Sequence, residues 1–129
     1  MDDVWSAPVR FGECDRQGVV FNAHYMTYAD EACNAWFHAT GTPHSTLAQR
    51  GLDSHLKASN LVWSAPAAYE EVVVADVVCT RIGTSSMVLV ARLRVGERLC
   101  CTVDTTYVVV DREGRAVRVP DDLRAAYGG

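Results

Sequence analysis

The sequence has 129 residues, 49% of them hydrophobic, which suits one compact core and is short for two domains. A formal charge of -4 and the lack of any long basic run argue against nucleic acid as a main partner. Five cysteines, at positions 14, 33, 79, 100 and 101, are odd in number and show no CxxC spacing, so they point to small buried hydrophobes, not to a disulfide framework or a zinc site.

Residues 1–5 are acidic, lack the basic start and apolar run of a secretory signal, and no segment reaches membrane-spanning length, so a soluble cytoplasmic protein of one domain, residues 1–129, is the expectation. Weak alternation through Val9 and Phe11 predicts a short strand over residues 4–11 that runs into a loop bracketed by Gly12 and Gly18. Val19 to Phe21 is apolar and returns to the core, and Asn22 is placed to cap the helix that follows.

Residues 24–39 give the clearest helix. Tyr25, Tyr28, Ala29, Ala32, Cys33, Trp36 and Ala39 share one face, with Thr27, Asp30, Glu31, Asn34 and His38 opposite. It would be on the order of 24 Å long, enough to lie across several strands. Gly41 and Pro43 end it. Residues 44–53 fit a further helical turn. Strands are expected over 56–63, 69–82, 86–95 and 98–110, rich in Val and Thr. Met87, Leu89, Ala91, Leu93 and Val95 alternate inward, as do Leu99, Cys101, Val103, Thr105 and Tyr107, while Cys100, Thr102, Asp104 and Thr106 face away. The short connections at 83–85 and 96–97 can join only antiparallel neighbours. Residues 115–119 add a short continuation, and Pro120 opens a last helical turn or two. The sum is an α+β domain with one helix packed on one antiparallel sheet.

The chemical centre is the stretch Phe11-Gly12-Glu13-Cys14-Asp15-Arg16-Gln17-Gly18-Val19-Val20-Phe21-Asn22, which brings a carboxylate, a glycine turn and a helix N-terminus together. Taken alone, an Asp near a Gly, as at Asp15, is a short acid capping its own turn far more often than a catalytic group. Gly18 serves a tight backbone turn under either reading. Cys14 with His24 would make a nucleophile and base, but no third orienting residue is evident, and His24 reads as a first-turn surface or interface residue. Asp30 and Glu31 sit on the polar helix face, where acids are ordinarily solvated. Arg81 with Thr84, Ser85 and Ser86 offers charge, hydroxyls and N–H groups to phosphates, and an ordinary hairpin turn accounts for them equally well. Trp63 and Tyr69 fit an acyl pocket or plain core packing. His38, His44 and His55 show no metal-ligand spacing, so neither metal nor cofactor is expected.

The run from Phe11 through Asn22, Ala23, His24 and Tyr25, with Tyr28 and Asp30 after it, resembles the signature of the 4-hydroxybenzoyl-CoA thioesterase branch of the hotdog-fold acyl-CoA thioesterases. Weaker likenesses extend over Pro66 and Tyr69, the turn at 83–86 and the closing residues 119–124. The resemblance implies a hotdog fold, a long central helix wrapped by a curved antiparallel sheet of about five strands. It further implies a homodimer or homotetramer with sites at the subunit interface, and a thioester of coenzyme A or of an acyl carrier protein as substrate. By position Asp15 matches the family's catalytic carboxylate, and Asn22 falls where a backbone N–H polarises the thioester carbonyl. Gly18, Val20, Phe21 and Tyr25 fall at the substrate, as do Arg81 and residues 84–86, and Asp30 matches a recurring acid that supports the site or interface. Some relatives carry His where Asn22 stands, so a proton-transferring imidazole is not expected at that position. A thioester carbonyl gains negative charge on oxygen in the transition state, and free helix N–H groups answer it. Asp15 would attack the carbonyl carbon or deprotonate a water. The alternatives are a hotdog dehydratase or hydratase, which would need a His partnered by an acid, and a non-catalytic acyl or aromatic ligand-binding protein of the same fold.

Overall fold

Alternating apolar side chains over residues 86–110 form the middle of a sheet whose concave face closes on one helix. In the computed structural model, which describes residues 2–128, the strands are β1 (Trp5–Pro8), β2 (Asp53–Trp63), β3 (Val72–Ile82), β4 (Ser86–Val95) and β5 (Arg98–Val110). The helices are α1 (His24–Ala39), α2 (His44–Gln49) and α3 (Asp121–Gly128), with a single 3-10 turn at Phe11–Glu13. The sheet runs in the order β1-β3-β4-β5-β2, and every pairing is antiparallel. Helix α1 touches β1, β3, β4 and β5, so the sheet curls around it as the expected α+β arrangement requires. Among the described residues, no helix is long and apolar enough to cross a membrane.

The core is drawn from the faces the alternation marks. Met87, Leu89, Ala91 and Leu93 of β4 and Val103, Thr105 and Tyr107 of β5 are buried against Tyr25, Tyr28, Ala29, Ala32, Cys33 and Trp36 of α1. The small side chains at 29, 32 and 33 allow the helix close to the sheet, where side chains interdigitate at crystal-like density. Ala39, expected on the same face, is exposed, while Trp36 and Phe37 of the same turn still pack on the core. Its C-terminus closes as a Schellman motif: Gly41 is left-handed at φ 77°, its N–H meets the His38 carbonyl, and the Thr42 N–H meets that of Phe37.

Several boundaries differ from expectation for local reasons. β1 is shorter than residues 4–11, because the 3-10 turn takes over at Phe11. β3 begins at Val72 and not at Tyr69, since residues 68–71 form a turn with Glu70 at φ 72°. Residues 115–119 add only an isolated bridge, Val110 to Ala116. Cys100 was expected on the outer face of β5. It is fully buried, because it is the extra residue of a bulge opposite Leu93 and Arg94 and lies under the returning chain at Ser64 and Ala65, whose N–H groups donate to its carbonyl.

Two carboxylates hold the periphery. Asp76 on β3, 1% exposed, accepts from Nε and Nη2 of the Arg92 opposite, both at 2.9 Å, and from Arg94 Nη1 at 3.1 Å. Glu13, 7% exposed, accepts the Arg10 N–H at 2.8 Å, the Arg10 guanidinium at 2.7 and 3.0 Å, and the Tyr28 hydroxyl at 2.7 Å. Burial alone would raise its pKa, but these donors outweigh burial and bring it from the ordinary 4.5 to about 2.

Replacing Asp76 with Ala, which leaves Arg92 and Arg94 without their shared acceptor, is expected to cost about 3 kcal/mol in urea unfolding. Because the Glu13 pKa is lower in the folded chain, its contribution is complete above 4.5 and is lost as pH falls from there toward 2. Glu13→Gln should therefore lower stability by about 2 kcal/mol at pH 7, with the gap to the parent closing in melts at pH 3.

Candidate active site

The loop after the 3-10 turn is a small hairpin. Asp15 N–H donates to the Val19 carbonyl at 2.9 Å and Gly18 N–H to the Asp15 carbonyl at 3.1 Å, with Gly18 left-handed at φ 79°. A type I turn closed by a left-handed residue favours glycine there, since a Cβ would strain the backbone. The hairpin is pinned to residues 67–69 through Val20 N–H to the Ala67 carbonyl and Tyr69 N–H to the Gly18 carbonyl, and to the 3-10 turn through Phe21 N–H to the Glu13 carbonyl.

These contacts fix Asp15 at the rim of an open cleft of about 520 Å³ lined by Gly12, Glu13, Cys14, Asp15, Phe21, Ala23, His24 and Thr27. Asp15 is exposed, and its Oδ1 accepts the Gln17 N–H at 2.8 Å, the turn-capping contact anticipated for a short acid. That contact leaves most of its acceptor capacity free, so capping and chemistry are compatible. Phe21 stands at the rim with Asp15, half exposed.

Asn22 does not cap α1. The cap is Ala23, already helical at φ -69° and ψ -21°, and no side chain caps the helix. The chain enters through a turn in which His24 N–H donates to the Phe21 carbonyl at 2.8 Å, which draws Asn22 into the turn and away from the capping geometry. Its carbonyl instead accepts the Trp63 indole N–H at 3.1 Å. Among the described residues, the Asn22 and Ala23 N–H groups donate to no protein acceptor, and Ala23 lines the cleft. Unpaired amides at a helix start carry positive dipole, and Ala23 shares the cleft with Asp15.

The other expected site residues separate into groups. Val20 and Tyr25 are 2% exposed and lie in the core beneath the cleft, where the Tyr25 hydroxyl accepts the Ala67 N–H at 3.0 Å. Arg81 and Thr84, Ser85 and Ser86 lie at the far end of β3, roughly 33 Å from the hairpin end by strand rise. There the carbonyls of Gly83 and Thr84 accept from Arg124 Nη2, at 2.7 and 3.0 Å, and the Gly83 N–H donates to Ser86. Asp30 opens on a different recess of about 190 Å³ between α1, α2, β2 and β5, beside Asn34, Ser54 and Tyr107. Trp63 and Tyr69 are exposed and not core residues, Tyr69 packing edge-on against Phe11.

Glu13 and His24 form a pair that sequence reasoning did not bring together. His24 Nε2 lies 3.1 Å from Glu13 Oε2, off the line of a good hydrogen bond, and the ring stands edge-on to Tyr28 at 4.9 Å. Far from being a surface residue, His24 is three-quarters buried and lines the cleft. The Arg10 to Glu13 spacing of three and the His24 to Tyr28 spacing of four each mark a local pair, and neither spacing joins Glu13 to His24. Cys14 lacks activation: burial pushes its thiol up, and Glu13 and Asp15 push it further.

The comparisons agree with this architecture. A protein of Thermus thermophilus described only as hypothetical superposes with a TM-score of 0.90 at 24% identity, covering 98% of each chain. A 1,4-dihydroxy-2-naphthoyl-CoA thioesterase from Synechocystis superposes with a TM-score of 0.85 at 16% identity, covering 96% of this chain and 93% of its own. A candidate esterase of Aquifex aeolicus is 29% identical over 72 residues, and the match spans 56% of each of the two chains. The fold is the hotdog fold these structures share. The sequence profile of the thioesterase-like superfamily matches residues 9–127, and the chain belongs to that superfamily.

Proposed function

We propose that the chain hydrolyses an acyl thioester of coenzyme A or of an acyl carrier protein, releasing the free acid and the thiol. The observation that carries the reading is the cleft shared by Asp15 and Ala23, the latter with its amide unpaired at the start of α1. Preorganised N–H donors stabilise the oxyanion that grows on a thioester carbonyl, and removing one such donor elsewhere typically costs on the order of a hundredfold in rate. Asp15, with free acceptor capacity at the same rim, supplies the attack on carbon, as nucleophile or through water. Asn22 takes part through its backbone, whose N–H is open, and not through its side chain. Membership of the superfamily and the likeness of residues 11–30 to the 4-hydroxybenzoyl-CoA thioesterase branch support the same assignment.

The assembly belongs to the proposal. Strand β2 is one of the two edges of the sheet, the longer one, and Leu56, Val62 and Trp63 on it are about half exposed. An open edge of this length invites pairing with a second copy, which extends the sheet into a homodimer, with a tetramer as a further step. Arg81 and residues 84–86, separated from the cleft by the length of β3, would meet substrate phosphates only at the cleft of another subunit.

One observation favours a second reading. The Glu13–His24 pair gives the cleft the partnered histidine that a dehydratase or hydratase needs. Product analysis separates the two, because only hydrolysis frees a thiol.

In a thiol-release screen over aromatic, short, medium and long acyl-CoA substrates and an acyl carrier protein conjugate, Asp15→Asn should lower kcat by about a hundredfold or more without changing the assembly. Near-parental turnover by that variant would refute the assignment. Sedimentation should give a mass of at least twice 14.1 kDa, and a monomer at micromolar concentration would remove the paired edge from the proposal.

A further inference from the structure

We infer that His24, backed by Glu13, is the proton carrier of the site, giving a proton to the leaving thiolate and recovering one from the attacking water. The inference rests on the thioesterase reading and adds a residue to it. Its basis is geometry. His24 Nε2 is buried and 3.1 Å from a carboxylate that is itself 7% exposed, while the rest of the ring borders the cleft that holds Asp15. His24 is one of the residues that line the cleft, together with Asp15, Ala23 and Thr27. A carboxylate 3.1 Å behind an imidazole favours by its charge the imidazolium that forms during transfer, which is the third-group logic of nucleophilic sites.

The groups facing the ring come from three elements. Glu13 belongs to the 3-10 turn and is held by Arg10, Tyr28 stands one helical turn along α1, and Cys14 and Asp15 belong to the hairpin across the cleft. Glu13 is fully engaged by its donors and faces inward, so it acts through His24 as a positioning residue.

The proton balance closes. An Asp15 carboxylate oxygen adds to the thioester carbon, and the oxyanion forms against the open amides. The C–S bond then breaks, its electron pair goes to sulfur, and the thiolate takes the His24 proton, leaving an acyl–Asp15 anhydride. Water adds to the acyl carbon while His24 takes its proton. The bond to the Asp15 oxygen breaks, the carboxylate is restored, and the free acid departs. One water is consumed, one acid and one thiol are made, and the proton that His24 gives to sulfur is recovered from water.

The test compares the parent with His24→Asn, Glu13→Gln and Asp15→Asn on the best substrate of the acyl-CoA panel, with kcat and KM measured from pH 5 to 9. His24→Asn is expected to lose about a hundredfold in kcat with KM little changed, and to lose one limb of the pH–kcat profile. Glu13→Gln is expected to keep that limb but displace it, with a smaller loss in kcat. As a control on folding, added imidazole should restore part of the rate of His24→Ala. Parental kcat and an unaltered profile in His24→Asn, with Asp15→Asn inactive, would overturn the proton carrier and leave the thioesterase reading standing. Activity retained in Asp15→Asn would overturn that reading itself.

Discussion

The site depends on the Glu13 carboxylate. Nearly removed from solvent, it gathers the main-chain and guanidinium donors of Arg10 and the hydroxyl of Tyr28, and so joins the end of β1 to the second turn of α1. The carbonyl of the same residue accepts from Phe21, which ties down the far side of the hairpin. A buried carboxylate left without donors is costly, so these contacts are effectively all made or all lost. The position of the Asp15 hairpin relative to the helix mouth follows from that condition.

Two acids two residues apart thus live in different surroundings. Glu13 points inward and is held well below the usual carboxylate range by its donors, which leaves it no capacity for a reacting group. Asp15 points to the open rim with a single N–H partner and keeps acceptor sites for substrate or water. Pairs of titratable groups with divergent environments are how one pocket assigns different tasks to chemically similar residues. Cys14 between them has its thiol pushed up by burial first and then by the two flanking acids, since a thiolate there would add a third negative charge.

Much of the fold was legible because it rests on period. The bounds of β4 and β5 match the alternation to the residue, and α1 ends where Gly41 permits a left-handed turn. The failures are tertiary. Cys100 breaks the alternation through a bulge whose cover comes from residues 64–65, more than thirty positions earlier. Asn22 has a good capping side chain, yet the hydrogen bond from His24 to Phe21 carries it into a turn, and capping propensity gives way. The motif around Asp15 was visible as a string, and its cleft follows from local turns. The Glu13–His24 contact was not visible, because it needs the hairpin to fold back on the helix, and no local spacing states that.

The Trp63 indole spans two parts of the molecule that otherwise have separate duties. It belongs to the last residue of the open strand β2, and it donates to the carbonyl of Asn22 beside the unpaired amides. Movement of that strand end bears on the peptide plane that joins Asn22 to Ala23, and Ala23 lines the cleft. One ring therefore couples the open margin of the sheet to the start of α1 without crossing the core.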